Sequence, residues 1–230
     1  MSEHPRTEDS RNAILAAAIA EFAERGVAGG RTESIARAAG VNKALIHYYF
    51  RTKEALYEEV LSLILQQMKD HFLAILEGQG SPGRRMLDYV LASFEHMAQA
   101  KDYSRILGHE MMRARAGAPS SVPRIAQTYF GPLHAALVGT ITEGIRIGEF
   151  RSCDPVQAAL SITGANVFYF MSAPVFKVLA GRDPRDPALI ARRREAVLDL
   201  VVCLLFADRE TGLAEAHRIL DAPVARPSEP

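Results

Sequence analysis

Residues 32–53 read TESIARAAGVNKALIHYYFRTK, and this stretch decides the fold. Its spacing of apolar residues around a central Ala-Gly-Val predicts two short helices joined by a tight turn. Thr32 is a candidate N-cap of the first helix, and Asn42 is a candidate N-cap of the second. Gly40 suits the left-handed backbone that ends the first helix. The stretch therefore predicts a helix-turn-helix.

The second helix of this motif has two different faces. At 100° per residue, Ile46 and Phe50 share the side that we expect to pack on Ile35 of the preceding helix. The opposite side carries an unusual set for a bare surface, namely Ala44, Leu45, His47 and Tyr48, flanked by Lys43 and Tyr49. Such side chains can contact base edges, phosphates or a thymine methyl group, so the pattern favours a helix that lies in the DNA major groove.

The composition is that of an ordinary globular chain, with 230 residues, 48% hydrophobic and 23% charged. No apolar run reaches the ~18 residues of a membrane span, and the polar N-terminus does not resemble a signal peptide. We expect a cytoplasmic protein without membrane contact, in which Cys153 and Cys203 are free thiols. No metal-ligand spacing, phosphate loop or nucleophile–base pair is present, so neither an enzyme nor a cofactor or metal is predicted.

Charge gives the DNA hypothesis no general support. The net charge is zero, and residues 1–60 contain eight basic and nine acidic side chains. Positive charge must therefore be concentrated on the side that faces DNA.

The rest of the chain has helical periodicity and no alternating strand pattern, so the fold class is predicted to be all-α. Further helices are expected at about 82–99, 103–116, 120–147, 154–171, 187–207 and 210–220, with a break at Gly131 and Pro132. We expect a helix-turn-helix DNA-binding domain over residues 1–52, a helical ligand-binding and dimerisation domain over 53–222, and a disordered tail over 223–230.

The segment from about Arg11 to Leu56 resembles the TetR family of bacterial transcriptional regulators. The resemblance is carried by Ala-Gly-Val at 39–41, Tyr-Tyr-Phe at 48–50 and Lys-Glu-x-Leu at 53–56, with the apolar positions that precede them. It implies DNA contacts from Thr32, Asn42, Lys43, Ala44, Leu45, His47, Tyr48, Tyr49 and Lys53. Glu33, Ala44 and Leu45 depart from the residues that are common in the family, which affects the expected operator sequence.

The resemblance also implies a C-terminal domain that binds a small molecule and forms a homodimer. Candidate effector-binding residues come from two segments rich in methionine and aromatic residues, and are His109, Glu110, Met112, Asn166, Tyr169 and Phe170. Candidate interface residues lie on the two long helices before the C-terminus, and are Leu160, Val167, Leu198, Val201, Val202 and Leu205.

The resemblance thus implies a ligand-responsive regulator, favoured as a repressor, that binds a palindromic double-stranded DNA operator as a homodimer and is released by a small, largely apolar effector. The alternative is a helical ligand-binding or scaffold protein with an impaired DNA reader. The neutral charge of residues 1–60 and the apolar Leu45 favour that alternative.

Overall fold

The computed structural model describes residues 4–221, with side chains from residue 8 onward. The predicted tail at 223–230 lies outside these residues. The described chain is all-α, and its helices are α1 His4–Gly29, α2 Thr32–Ala38, α3 Lys43–Phe50, α4 Lys53–Leu76, α5 Pro82–Gln99, α6 Lys101–Arg115, α7 Val122–Ile125, α8 Gly131–Arg146, α9 Pro155–Met171, α10 Ala173–Ala180, α11 Pro187–Leu205 and α12 Arg209–Asp221.

The predicted break near Gly131 takes the form of a π-helical segment, Ala126–Phe130, directly before α8. Pro132 has no N–H with which to continue the α-helical bonding pattern, which accounts for the irregular turn. The sequence does not predict the helix α10, because Pro174 indicates a break in the chain at this point. Since Pro174 lies in the first turn of α10, its missing N–H costs no helical hydrogen bond there.

The chain divides into two compact units. The first comprises the chain up to Lys69 together with Ala100–Phe130, and the second comprises Asp70–Gln99 together with the chain from Gly131 onward. This division differs from the expected boundary at residues 52 and 53, because α6 and α7 belong to the first unit. Sequence order alone does not reveal this, since α6 follows α5 of the second unit.

The core of the first unit forms where α1 and α4 meet the helix-turn-helix. Phe22 is fully buried, and its ring meets that of Tyr57 edge to face at 5.1 Å. Gly26 interrupts α1 with φ 62°, so the helix is kinked at this residue. Its backbone lies against the ring of His109, which a side chain at position 26 would crowd.

The core of the second unit is formed by α5, α8, α9 and α11. Its fully buried residues include Leu87, Phe94, Ile141, Leu198 and Val202. Phe150 and Phe206 stack edge to face at 5.3 Å where the chain segments after α8 and α11 form an isolated bridge.

No single helix among the described residues is long and apolar enough to cross a membrane. The bent pair α9 and α10 meets that test only when the two helices are taken together.

Candidate nucleic-acid interface

The helix-turn-helix is held by the residues that the face analysis assigned to its core. Ile35, Ile46 and Phe50 are 0–5% exposed, and the positive φ of Gly40 (66°) makes the turn. The side chain of Asn42 accepts a hydrogen bond from the Ala44 N–H at 2.9 Å, which confirms its role as the cap of α3. Thr32 is not a cap: Arg31 takes that position without a side-chain cap, and its N–H donates to Glu21 Oε1 at 3.0 Å.

The opposite face of α3 is presented to solvent. Lys43, Ala44, His47 and Tyr48 are exposed, Leu45 and Tyr49 are half-buried, and Tyr48 reaches 72% exposure. The rings of Tyr48 and Tyr49 meet edge to face at 5.1 Å, so each restricts the other. An exposed helical face that carries aromatic, basic and imidazole groups suits contact with base edges and phosphates.

The imidazole of His47 is oriented by the end of its own helix. Its Nδ1 lies 3.1 Å from the carbonyl oxygen of Arg51, and because a carbonyl only accepts, Nδ1 carries the proton of this hydrogen bond. Nε2 therefore remains for an external partner.

The junction between α3 and α4 is a strained tight turn at Arg51. Its backbone has φ 65° and ψ −58°, and the Thr52 N–H donates to the Phe50 carbonyl at 2.7 Å, which closes a γ-turn. Arg51 is the non-glycine residue with positive φ in the described part of the chain, a conformation that costs about 1–3 kcal/mol. Because of this turn, only Arg51 and Thr52 separate the end of α3 from the start of α4.

Two basic residues of the predicted DNA surface are engaged within the first unit. Lys43 pairs with Glu33 on α2, and this pairing lowers the pKa of the Glu33 carboxyl, first through the hydrogen bond from Lys43. Lys53 Nζ lies 3.3 Å from the Gly30 carbonyl oxygen and 3.4 Å from that of Ala28, at the end of α1. Both lysines therefore have intramolecular partners at the surface where DNA is expected.

Comparison with known proteins agrees with this geometry. Residues 14–60 match the family described as "Bacterial regulatory proteins, tetR family", and residues 82–201 match "Tetracyclin repressor-like, C-terminal domain". The chain is 30% identical over 198 residues to the HTH-type transcriptional regulator RutR of Escherichia coli K12, covering 84% of this chain and 88% of RutR. The chain belongs to the TetR family of bacterial transcriptional regulators.

Two further relatives extend the comparison. The HTH-type transcriptional repressor KstR2 of Mycolicibacterium smegmatis is 27% identical over 143 residues, 61% of this chain and 67% of KstR2. The crystal structure of the transcriptional regulator FadR from Bacillus subtilis in complex with stearoyl-CoA superposes with a TM-score of 0.64 at 20% identity, covering 83% of this chain and 96% of FadR. As a TetR-family member, this protein is a DNA-binding transcriptional regulator.

The effector-binding residues that the sequence predicted for this TetR-family chain are divided between the two units. His109, Glu110 and Met112 lie on α6 in the first unit, whereas Asn166, Tyr169 and Phe170 lie on α9 in the second. Met112 is 71% exposed, because it lies on the outer side of α6, and His109 Nε2 contacts the Ala23 carbonyl at 3.3 Å beside the kink of α1.

Glu110 is a structural carboxylate. It is fully buried and accepts hydrogen bonds from the Tyr57 hydroxyl at 2.9 Å, from Arg113 at 2.9 Å and from the Ser121 N–H at 2.7 Å. Burial, followed by the charge of Glu110, raises the pKa of Tyr57 far above its ordinary value, so the phenol remains a donor. No local sequence pattern indicates this network, since Tyr57 lies 53 residues and Ser121 11 residues from Glu110 along the chain.

The α9 predictions lie around a buried amide. Asn166 is 1% exposed, and its Nδ2 donates to the Val90 carbonyl at 3.0 Å and to Ser93 Oγ at 2.8 Å. The carbonyl contact fixes the orientation of the amide, and Oδ1 is buried without a hydrogen-bond donor among the described residues. Phe170 is 6% exposed, and the Tyr169 hydroxyl donates to the Pro184 carbonyl at 2.8 Å.

The interface prediction for α11 was wrong. Leu198, Val201, Val202 and Leu205 are each 0% exposed, since they fill the core of their own protomer. Leu160 and Val167 on α9 are instead 55% and 42% exposed. An apolar stripe on α11 is equally consistent with a protomer core and a subunit interface, so periodicity alone did not separate the two.

Proposed function

We propose that this protein is a ligand-responsive repressor that binds a palindromic operator as a homodimer. The observation that carries the proposal is the face division of α3, with Ile46 and Phe50 buried and Lys43, His47 and Tyr48 presented together. Repression is favoured because the relative KstR2 is named a repressor and the C-terminal match is described as tetracyclin repressor-like.

DNA contact is assigned to the residues of the helix-turn-helix and its flanks. In this proposal α3 reads base edges, while Thr32, Tyr49 and Lys53 bind phosphates. The full set is Thr32, Asn42, Lys43, Ala44, Leu45, His47, Tyr48, Tyr49 and Lys53. Lys43 exchanges its partner Glu33 for DNA, so part of the binding free energy is offset by breaking an exposed ion pair.

The proposed homodimer forms through the outer face of α9. Val156, Leu160, Val167 and Met171 follow at helical spacing and are 42–69% exposed, while Ile162, Asn166 and Phe170 face the core. A helix that is apolar on two sides needs a partner on both. A two-fold dimer spaces two reading helices by about one turn of DNA, roughly 34–36 Å, and requires a palindromic operator.

The proposed effector site lies beside Asn166. Its buried Oδ1 calls for a hydrogen-bond donor, and Phe94 and Phe170, 5.2 Å apart, supply apolar surface nearby. A largely apolar molecule with a single donor suits these groups. The FadR neighbour with bound stearoyl-CoA supports an apolar effector class in this fold.

The effector acts in this proposal by shifting α4. This helix begins at Lys53 in the reading unit and extends to Leu76 in the second unit. Within the first unit, Tyr57 and Glu58 of α4 are bonded to Glu110, Ser121 and Arg124 of α6 and its following segment. A displacement of α4 therefore changes the position of the reading helices, provided that the effector favours one arrangement over the other.

Binding to DNA from the region upstream of its own gene tests the proposal. Fluorescence anisotropy at several salt concentrations is expected to show selective, salt-dependent binding of this DNA by the dimer. His47→Ala is expected to weaken this binding. Lys101→Gln, an exposed change outside the helix-turn-helix, is expected to leave the affinity within about twofold of the wild type. Absence of selective binding would contradict the proposal. If the protein binds apolar ligands but no DNA, the alternative holds, namely a helical ligand-binding protein whose helix-turn-helix no longer binds DNA. The pairing of Lys43 with Glu33 favours this alternative.

A further inference from the structure

The short helix α10 presents its apolar side to solvent. Val175, Phe176, Val178 and Leu179 are 59%, 42%, 84% and 76% exposed, whereas Ala173 at its start is buried. At 100° per residue, these four side chains occupy an arc of about 160°, and Lys177 lies on the opposite side. Residues 174–180 are all exposed, so the apolar arc, which in an ordinary amphipathic helix faces the protein's own core, is left uncovered.

The apolar arc of α10 follows the outer face of α9 directly along the chain. The two helices follow one another with a bend of 59°, and both belong to the second unit. The outer face of α9 ends in Phe168 and Met171, which are 59% and 69% exposed, directly before the bend. The exposed apolar surface is therefore carried from one helix to the next.

The size of this surface fits a subunit interface. Nine large apolar side chains of α9 and α10 are 42–84% exposed, which amounts to on the order of 800 Å². The largest apolar patch on an ordinary monomer is about 300–600 Å², whereas a stable interface buries about 800 Å² on each partner.

We propose that α10 is a dimerisation arm whose apolar arc packs on the exposed α9 face of a second copy of this chain, reciprocally in the two protomers. The inference rests on the homodimer of the proposed function and adds the element that covers its interface. Two reciprocal arms bury apolar surface on both α9 faces, while Lys177 stays in water on the outer side of each arm.

The double variant Val178→Ser/Leu179→Ser tests the arm in the full chain. Both side chains are exposed in the protomer, so its helical content is expected to be preserved, as circular dichroism will show. The matched control, Met112→Ser/Ile147→Ser, removes two apolar side chains that are 71% and 51% exposed outside α9 and α10.

Sedimentation equilibrium measures the dimer dissociation constant of each protein. We expect an increase of at least about 100-fold in the arm variant, since four large apolar side chains leave the interface of each dimer, and less than about threefold in the control. The arm variant is also expected to lose cooperative binding to a full operator while it retains weak binding to a half-site.

The outcomes separate the arm from the rest of the proposed function. A wild-type dimer that is unchanged in the arm variant overturns the arm but leaves the homodimeric regulator in place. A wild-type monomer at micromolar concentration overturns both. Flotation of the wild type, but not of the arm variant, with phosphatidylcholine–phosphatidylglycerol vesicles, together with an unchanged dimer, assigns the surface to lipid and overturns the arm.

Discussion

Replacement of Lys53 by Gln separates a structural role from a DNA-binding role at one position. Lys53 is the first residue of α4, where the helix macrodipole disfavours a cation. The unfavourable interaction of its ammonium group with this dipole is offset by the carbonyls of Gly30 and Ala28 at the end of α1, which lie 3.3 and 3.4 Å from Nζ. These carbonyls lie at the edge of the proposed DNA surface, so a DNA phosphate can be an additional partner of the Lys53 ammonium group.

The two roles give different magnitudes. Loss of the carbonyl contacts lowers the free energy of unfolding by about 0.3–1 kcal/mol, the usual contribution of a cation at a helix C-terminus. Loss of one phosphate contact in each protomer reduces the slope of log K against log salt by about 1.8, since each contact contributes about 0.9. Between 50 and 200 mM salt, the variant will therefore lose about 12-fold less affinity than the wild type.

The assay is fluorescence anisotropy with the operator at 50, 100 and 200 mM salt. Lys101→Gln, an exposed change at the start of α6, is the charge-matched control and is expected to keep the wild-type slope. Parallel lines for Lys53→Gln and the wild type would refute the reasoning. A constant loss of affinity with an unchanged slope means that Lys53 acts only through the end of α1.

Two further predictions concern stability. Glu110→Ala removes the acceptor of a buried ionic network and is expected to lower the free energy of unfolding by about 3–5 kcal/mol in urea titrations. Tyr57→Phe removes only one donor to this network, so its expected loss is smaller, about 1.5–3 kcal/mol. A larger loss in Tyr57→Phe than in Glu110→Ala would contradict the network. Burial, and then the charge of His71, lowers the pKa of His96 below its ordinary value, so the unfolded state binds the proton more readily and stability falls as the pH drops below about 6.5. The urea midpoint of His96→Gln is therefore expected to depend less on pH between 7.5 and 5.5 than that of the wild type, and equal dependence would assign the effect to other groups.

The structure of α3 and of the turn before it could be predicted because the residues that determine it are close together in the sequence. Helical periodicity placed Ile46 and Phe50 in the core, and Gly40 and Asn42 have the backbone conformation and the cap that their residue types favour. The position of the cap is less determined: Thr32 was expected to be the cap of α2, but Arg31 takes that position without a side-chain cap, and its own N–H donates to Glu21, ten residues earlier. Local chemistry predicts which residues suit a cap, and tertiary contacts decide which of them is used.

The second unit was less predictable because its apolar residues have two possible partners. The stripe of Val201 and Val202 on α11 is buried in the protomer, and that of Leu160 and Val167 on α9 is exposed, yet both have the same composition and period. Glu110 presents the same difficulty for polar groups. Its partners Tyr57 and Ser121 are brought together by the fold, so the sequence segment around it suggested a ligand site.

The neutral charge of residues 1–60 does not oppose DNA binding once the ion pairs are assigned. Glu58 pairs with Arg124, a residue outside this segment. The summed charge therefore counts an acid whose partner lies elsewhere in the chain. On the proposed DNA surface, Glu33 and Lys43 are paired across α2 and α3, so the pair contributes both an acidic and a basic group where DNA is expected. In the proposed complex, DNA phosphates repel Glu33 and attract Lys43, so we expect binding to reorganise this pair, and we expect the local pair rather than the net charge to govern the electrostatics of recognition.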